Sequence, residues 1–308
     1  MNSQSICRRH RILLVFSSLV FLISLGWNQT DPGILESSDR IHQSFEAETC
    51  SHLHIPTVLA SQQYVIHEPI TITNNADFTA YGFPGDGSSS NPYVIESLNI
   101  TSDARTLIHI ENTTMYFRIQ NNLLNGLINT YEIILDMMHV RDGISLVHAT
   151  HGTIDSNIVI NCGETGISLE TSEQNILSNN NVSNCGIGIS LGWSHQNTFS
   201  NNTISKCGIG IFLMASGQNS FVRNHLINNG FFILAGNKPY FQAAMMDNVV
   251  NGRPLVFWQN VRGGTIPPDA GQVVLINSTR IEVTGQDLTS SHSWCDGPLQ
   301  LTLAHPSQ

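Results

Sequence analysis

From residue 151 to about 236 the apolar and polar positions recur with a fixed long period. Asn175–Gln196 (NILSNNNVSNCGIGISLGWSHQ), Asn197–Gln218 (NTFSNNTISKCGIGIFLMASGQ) and the stretch from Asn219 (NSFVRNHLINNGFFIL) align column for column, and His151–Gln174 precedes them with one extra residue near Glu164. The period is 22 residues, once 23. Apolar columns are Val159/Val182/Ile204/Leu226, Ile167/Ile189/Ile211/Ile233 and Leu169/Leu191/Leu213. The last two lie two residues apart within each repeat, the spacing of a strand that turns alternate side chains inward. No 3.6-residue period survives, which excludes helical repeats.

Several short strand signals per repeat, separated by Asn or Gly, predict an all-β parallel β-helix with one repeat per coil. Stacking coils at about 4.8 Å piles like residues into a continuous core. The column Asn157/Asn180/Asn202/Asn224 is expected to hydrogen-bond from coil to coil. The column Gly163/Gly186/Gly208/Gly230 is expected to supply turns at positive φ. Cys162, Cys185 and Cys207 form a third column, continued by Asn229, and as small buried hydrophobes they read as a structural ladder. Further strands are expected at 93–100, 107–110, 116–124, 254–258, 273–277 and 280–288.

The organisation that follows is a signal peptide or N-terminal membrane anchor over 1–27, a linker and cap region over 28–90, regular coils over 91–236, irregular coils with loops over 237–288, and a tail over 289–308. Arg8-Arg9-His10-Arg11 before the apolar run Ile12–Trp27 is the export pattern, and 16 residues is short of a full span. The repeat pattern fails from Thr289, so a loosely packed tail and an exposed edge near 281–288 are expected.

Charge narrows the partners. With 13 Lys+Arg against 23 Asp+Glu the chain carries a formal −10, and only two of its cations are lysines, so nucleic acid is excluded and a membrane enters only through the N-terminal segment. Asparagine reaches 30 residues, and Asn-x-Ser/Thr sequons start at Asn28, Asn99, Asn112, Asn181, Asn201 and Asn277. The carboxylates Asp142, Asp155, Glu164, Glu170 and Glu173 fall in differing columns, with no repeated pair of the kind sugar hydrolysis uses. Trp193 is a candidate platform for a sugar ring, and Glu173 and His195 share a column beside it. His148 and His151, spaced H-x-x-H with Met137-Met138-His139 upstream, are the candidate metal ligands.

Three stretches carry a family resemblance: Gly85-Asp86-Gly87-Ser88 running into Asn91-Pro92-Tyr93-Val94-Ile95-Glu96, the repeated Asn-Asn-x-Ile/Val-x-x-Cys-Gly-Ile-Gly-Ile, and Asn251-Gly252-Arg253-Pro254-Leu255-Val256 leading to Ala270-Gly271-Gln272-Val273. Over residues 70–288 the chain resembles the right-handed parallel β-helix proteins of the NosD type, within the carbohydrate-binding and sugar-hydrolysis group. The resemblance implies an exported, periplasmic or surface protein, with copper, or calcium as in sugar-active β-helices, as the ion to consider. The reading is a non-catalytic accessory protein that presents its lateral face to a glycan or a periplasmic or cell-surface protein. The alternatives are a polysaccharide lyase, hydrolase or epimerase, and a copper-handling factor.

Overall fold

Residues 63–127, 142–234 and 242–285, with the backbone of strand 300–304, are described in a computed structural model of the chain. The expected leader over 1–27 and Met137-Met138-His139 lie outside these residues. The architecture is a right-handed parallel β-helix whose coils contribute one strand to each of three lateral sheets. Among the described residues these sheets have eleven, seven and seven strands. In one coil, Ile158–Ile160 lies in the first sheet, Thr165–Glu170 in the second and Ile176–Ser178 in the third.

The register reproduces the periodicity. Val159, Val182, Ile204 and Leu226 are successive partners in the first sheet. Ile144, Ile167, Ile189 and Ile211 are partners in the second, as are Leu146, Leu169, Leu191 and Leu213. All of these are buried in one core. Along the third sheet Ile154, Leu177, Phe199 and Phe221 stack inward, and the rings of Phe199 and Phe221 lie 4.7 Å apart at 11°, the coil spacing itself.

Corners between sheets bury backbone that no strand pairs, and side-chain amides take the pairing over. Nδ2 of Asn180 donates to Oδ1 of Asn202 (2.9 Å) and to the carbonyl of Ile154 (2.8 Å). Its Oδ1 accepts from the backbone N–H and Nδ2 of Asn157, at 3.1 and 3.0 Å. The expected ladder exists and runs further, from Asn122 through Asn157, Asn180, Asn202 and Asn224 to Asn248. A second ladder that the columns also contained, Asn175–Asn197–Asn219, and a serine ladder, Ser172–Ser194–Ser216, do the same work at the corner between the second and third sheets.

The glycine column works differently from expectation. Positive φ falls at other corner positions, such as Asn161, Asn179, Asn184 and Asn201, at φ 54 to 58, and not at Gly163, Gly186, Gly208 or Gly230. Asparagine tolerates the left-handed region because its short polar side chain bonds locally. Gly186 is needed for close approach instead: a Cβ there would stand 2.8 Å from the carbonyl oxygen of Glu164 on the coil before. Gly188 likewise faces Ile204 Cγ2, at 2.4 Å from a Cβ.

The thiol column is buried as expected, with Cys162, Cys185 and Cys207 free. Their S–H groups donate to the carbonyls of Ile160, Ser183 and Ser205, at 3.7, 3.4 and 3.3 Å. Burial first, and the Cys162 thiol second, hold Cys185 well above the ordinary thiol range. For Cys207 the hydrogen bond with Cys185 comes first and burial second.

Both ends depart from the simple repeat. The region 28–90 was expected to be linker and cap; its described part already supplies strands Val65–Ile66 and Ile70–Ile72, and a short helix, Asn75–Ala80, capped by Asn74. Phe78 of that helix stacks on Tyr93 (4.7 Å, 1°) and closes the core. At the other end Ile211 pairs with Phe231, and Leu213 with Ile233, so one coil is two residues short. Phe231, not the half-buried Ile233, therefore continues the isoleucine column, and Gly230 lies opposite Gly210. The larger ring fills the shortened coil, edge-on to Phe221 at 5.4 Å.

After Val249–Val250 the chain reverses. Asn251 and Gly252, at φ 52 and 75, make a tight hairpin turn, and Arg253–Gln259 runs antiparallel to the strand before it. The coils expected over 237–288 are thus present but reversed, with a shorter period of 17, since Leu255 pairs with Gln272 and Arg262 with Thr279. Strand Gln272–Ile276 is buried on both faces: Val273 and Leu275 pack in a small second core, Val274 and Ile276 against Ile233, Leu255 and Phe257. Gln272 is wholly buried, and its side-chain amide substitutes for a further strand, accepting from Phe231 N–H (2.9 Å) and donating to Phe231 C=O (2.7 Å). The tail was expected to leave an edge at 281–288: among the described residues Thr279–Glu282 pairs with Arg262–Thr265 alone and so remains an edge, while Gln300–Ala304 pairs along Gln272–Ile276 and forms the edge of the long sheet.

Ile189→Asp is expected to abolish cooperative folding, because an unpaired carboxylate in this column costs more than about 4 kcal/mol. Gln272→Leu keeps the volume but orphans two buried backbone groups, and should lower the stability measured by urea denaturation by about 2–4 kcal/mol. Native protein at mildly alkaline pH should leave Cys162, Cys185 and Cys207 unalkylated, with labelling on peptide mapping only after denaturation. Labelling of the folded chain would contradict the buried ladder.

Candidate functional site

The corner between the second and third sheets collects every binding and metal residue singled out from the sequence. In the coils from His148 to Gln218 this corner has two left-handed positions, and the first of them, shared with Asn112 one coil earlier, aligns His148, Thr171, Trp193 and Ala215, at φ 46 to 54. The second aligns His151, Gln174, Gln196 and Gln218, at φ 57 to 62. The serine and asparagine ladders beneath fix the alignment. His148 and His151 therefore stand on one coil, Glu173 on the next, and Trp193 with His195 on the third, a ridge spanning about 10 Å at the normal coil spacing.

Aromatic surface is prominent on this ridge. Trp193 is 40% exposed and Tyr116, one coil before His151, is 36% exposed. The Tyr116 and His151 rings stack at 4.5 Å and 23°. Nδ1 of His151 is also engaged with Thr150 Oγ1 (3.1 Å) and Thr114 O (3.3 Å). Nδ1 of His195 accepts from the N–H of Gly217 on the following coil (3.0 Å). With the Gly217 carbonyl 3.3 Å from the same nitrogen, these contacts hold the imidazole against the following coil.

The outer face of the second sheet adjoins the ridge. Its two outward columns are His109–Ser145–Ser168–Ser190–Phe212 and Glu111–Val147–Glu170–Gly192–Met214. Nε2 of His109 lies 3.4 Å from the Glu111 carboxylate. Glu170 lies across Gly192, where a Cβ would overlap its Oε2, so the missing side chain makes room for a carboxylate directly before Trp193. Partial burial raises the Glu170 pKa and the charge of His148 draws it back. The sequence held this signal as Gly192 in the column of Glu170, yet column bookkeeping alone did not join it to Trp193.

Further carboxyl groups are perturbed away from the ridge, among them Asp142, Glu164 and Asp155. Asp142 is buried, accepts from Thr165 N–H (3.2 Å), and is held well above the ordinary carboxylate range by burial and then by neighbouring Glu164. Burial raises Glu164 as well, although its side chain reaches the surface. The two lie one position out of column, since Asp142 precedes Ile144, the partner of Ile167, by two residues, as Thr165 precedes Ile167. Asp155 shows the opposite balance: burial opposes ionisation, but hydrogen bonds from Ser178, Asn179 and Ser156, with Arg118 nearby, lower its pKa.

Copper or calcium was the ion to consider, without either being assigned. Among the described residues no group of three or more His, Cys, Asp or Glu is placed to hold a metal ion, so His148 and His151 share a turn without a third ligand from that set. Soft ligation at the thiol column would need thiolates, which its burial disfavours. Among the described residues no helix is long and apolar enough to cross a membrane.

Comparison with curated proteins gave no match. Among solved structures the chain is similar to an alginate lyase from Paenibacillus sp. str. FPU-7, at 14% identity and a TM-score of 0.39, covering 78% of this chain and 99% of that one. A family model described as periplasmic copper-binding protein (NosD) matches residues 57–237. That match takes in the helical cap, the amide ladders, the thiol column and the ridge, over more than half of the sequence, and the chain belongs to the NosD family.

Proposed function

We propose that this chain is an exported, non-catalytic accessory protein that binds a glycan along the ridge and the outer face of the second sheet. One observation carries the reading: an exposed indole, Trp193, stands on a straight ridge beside a carboxylate seated over a glycine. An indole face offers a large rigid apolar surface to the C–H face of a sugar ring. The hydroxyls of Ser168 and Ser190 in the adjoining column, the Glu173 carboxylate and the His195 imidazole add hydrogen-bonding partners. Because coils repeat along the axis, such a surface suits a linear polymer. Export is supported by the basic and apolar leader and by the periplasmic description of the family.

Two other readings have support of their own. Copper handling rests on the family description together with His148 and His151, two ligands on one turn. A lyase or hydrolase would need a carboxyl pair facing a scissile bond, and of Asp142 and Glu164 the first is buried.

Titration of the full chain with a panel of linear oligosaccharides, read by tryptophan fluorescence and calorimetry, tests the proposal. Trp193→Ala should weaken binding about tenfold, the loss of one aromatic contact of about 1.4 kcal/mol. The melting temperature should stay unchanged because the side chain is exposed. Affinity equal to that of the parent would rule out the ridge.

A further inference from the structure

The charges around the ridge narrow the ligand class. Residues 142–205 contain no Lys or Arg and five acids, Asp142, Asp155, Glu164, Glu170 and Glu173. Three of these are accounted for elsewhere. Asp142 is buried under the second sheet's edge, Glu164 lies at the opposite corner beside it, and Asp155 is held by three side-chain hydrogen bonds on the third sheet. Glu170 and Glu173 remain, flanking the turn that leads to the Trp193 coil. No arginine or lysine occupies a position of the ridge or of the second sheet's outward columns from His109 to Gln218.

A uronic acid polymer would bring carboxylates against Glu170 and Glu173 on a face whose described positions hold imidazoles but no Lys or Arg, and like charges repel. A neutral polymer would cover Glu170 and deepen its desolvation without adding a charged partner beyond His148. A protonated amino sugar satisfies both requirements, since its ring covers the indole while its ammonium group meets the carboxylate. From this charge complementarity we infer that the ridge takes a linear amino-sugar polymer, with Trp193 stacking on a ring and Glu170 pairing with the adjacent ammonium. The inference rests on the glycan-binding reading and specifies its ligand.

The test uses the full chain with hexamers of β-1,4-linked glucosamine, the same hexamer fully N-acetylated, oligogalacturonate, and polylysine of matched charge. The glucosamine hexamer should bind at least tenfold tighter than the acetylated one. That advantage should disappear in Glu170→Gln and at about 1 M salt, where the screening length falls to about 3 Å. Oligogalacturonate should not bind. Trp193→Ala should weaken the glucosamine hexamer without affecting polylysine, and unchanged melting temperatures will certify the folding of both variants. Equal binding of the two hexamers, preference for galacturonate, or binding of the glucosamine hexamer that ignores Glu170→Gln would overturn the amino-sugar assignment. If the acetylated hexamer still binds through Trp193, the glycan reading survives that failure; if no glycan responds to Trp193→Ala, both fall.

Discussion

Everything in this fold depends on pairing the backbone that the corners bury. Strands can satisfy one another along three sheets, but each coil must turn between them, and a buried turn has no neighbouring strand to bond. The solution is a side-chain amide that acts as a transferable peptide group. Asn180 bonds to the coil before it and the coil after it at once, and Asn122 through Asn248 repeat that arrangement. Where the stack ends, the same chemistry appears once more, with Gln272 supplying Phe231 with the donor and acceptor of an absent strand. The aliphatic columns contribute the burial energy, and the amides fix the register in which burial is possible.

That constraint explains what the sequence could show. A repeat of 22 residues leaves its mark in every column, so the coil, the inward Ile, Leu and Val positions, the thiol ladder and the first asparagine ladder were legible before any coordinates. Departures from the repeat were not. The two-residue contraction before Phe231 is masked because Ile233 also fits the periodic column, and only packing against Phe221 decides between them. Glycine was read as a turn residue, whereas its task at Gly186 and Gly188 is to admit a neighbouring coil, a steric fact about atoms far apart in sequence. Asn251-Gly252 stood in the sequence only within a stretch of family resemblance, and the reversal it makes, with strands running back along the same sheet, follows from pairing partners alone.

Function follows the same division. Trp193, His148, His151, Glu173 and His195 were each chosen for their chemistry, and the corner geometry places all five on one ridge. Glu170 was missed because its significance comes from a neighbour without a side chain, Gly192. The carboxyl pair Asp142 and Glu164 was missed because its members stand one position out of column. A regular scaffold thus makes the core readable and hides the site, since sites arise where one coil differs from the next.

Native-state hydrogen exchange resolved at single residues tests the central claim most directly. The backbone N–H groups of Asn157, Asn180, Asn202 and Asn224 have as acceptor the Oδ1 of the next asparagine in the ladder. If these amides hold the coils in register, they will exchange as slowly as the N–H groups of the buried strands Ile187–Gly192 and Ile209–Met214, through global unfolding alone. Fast exchange at the four asparagines, with the strands still protected, would contradict it.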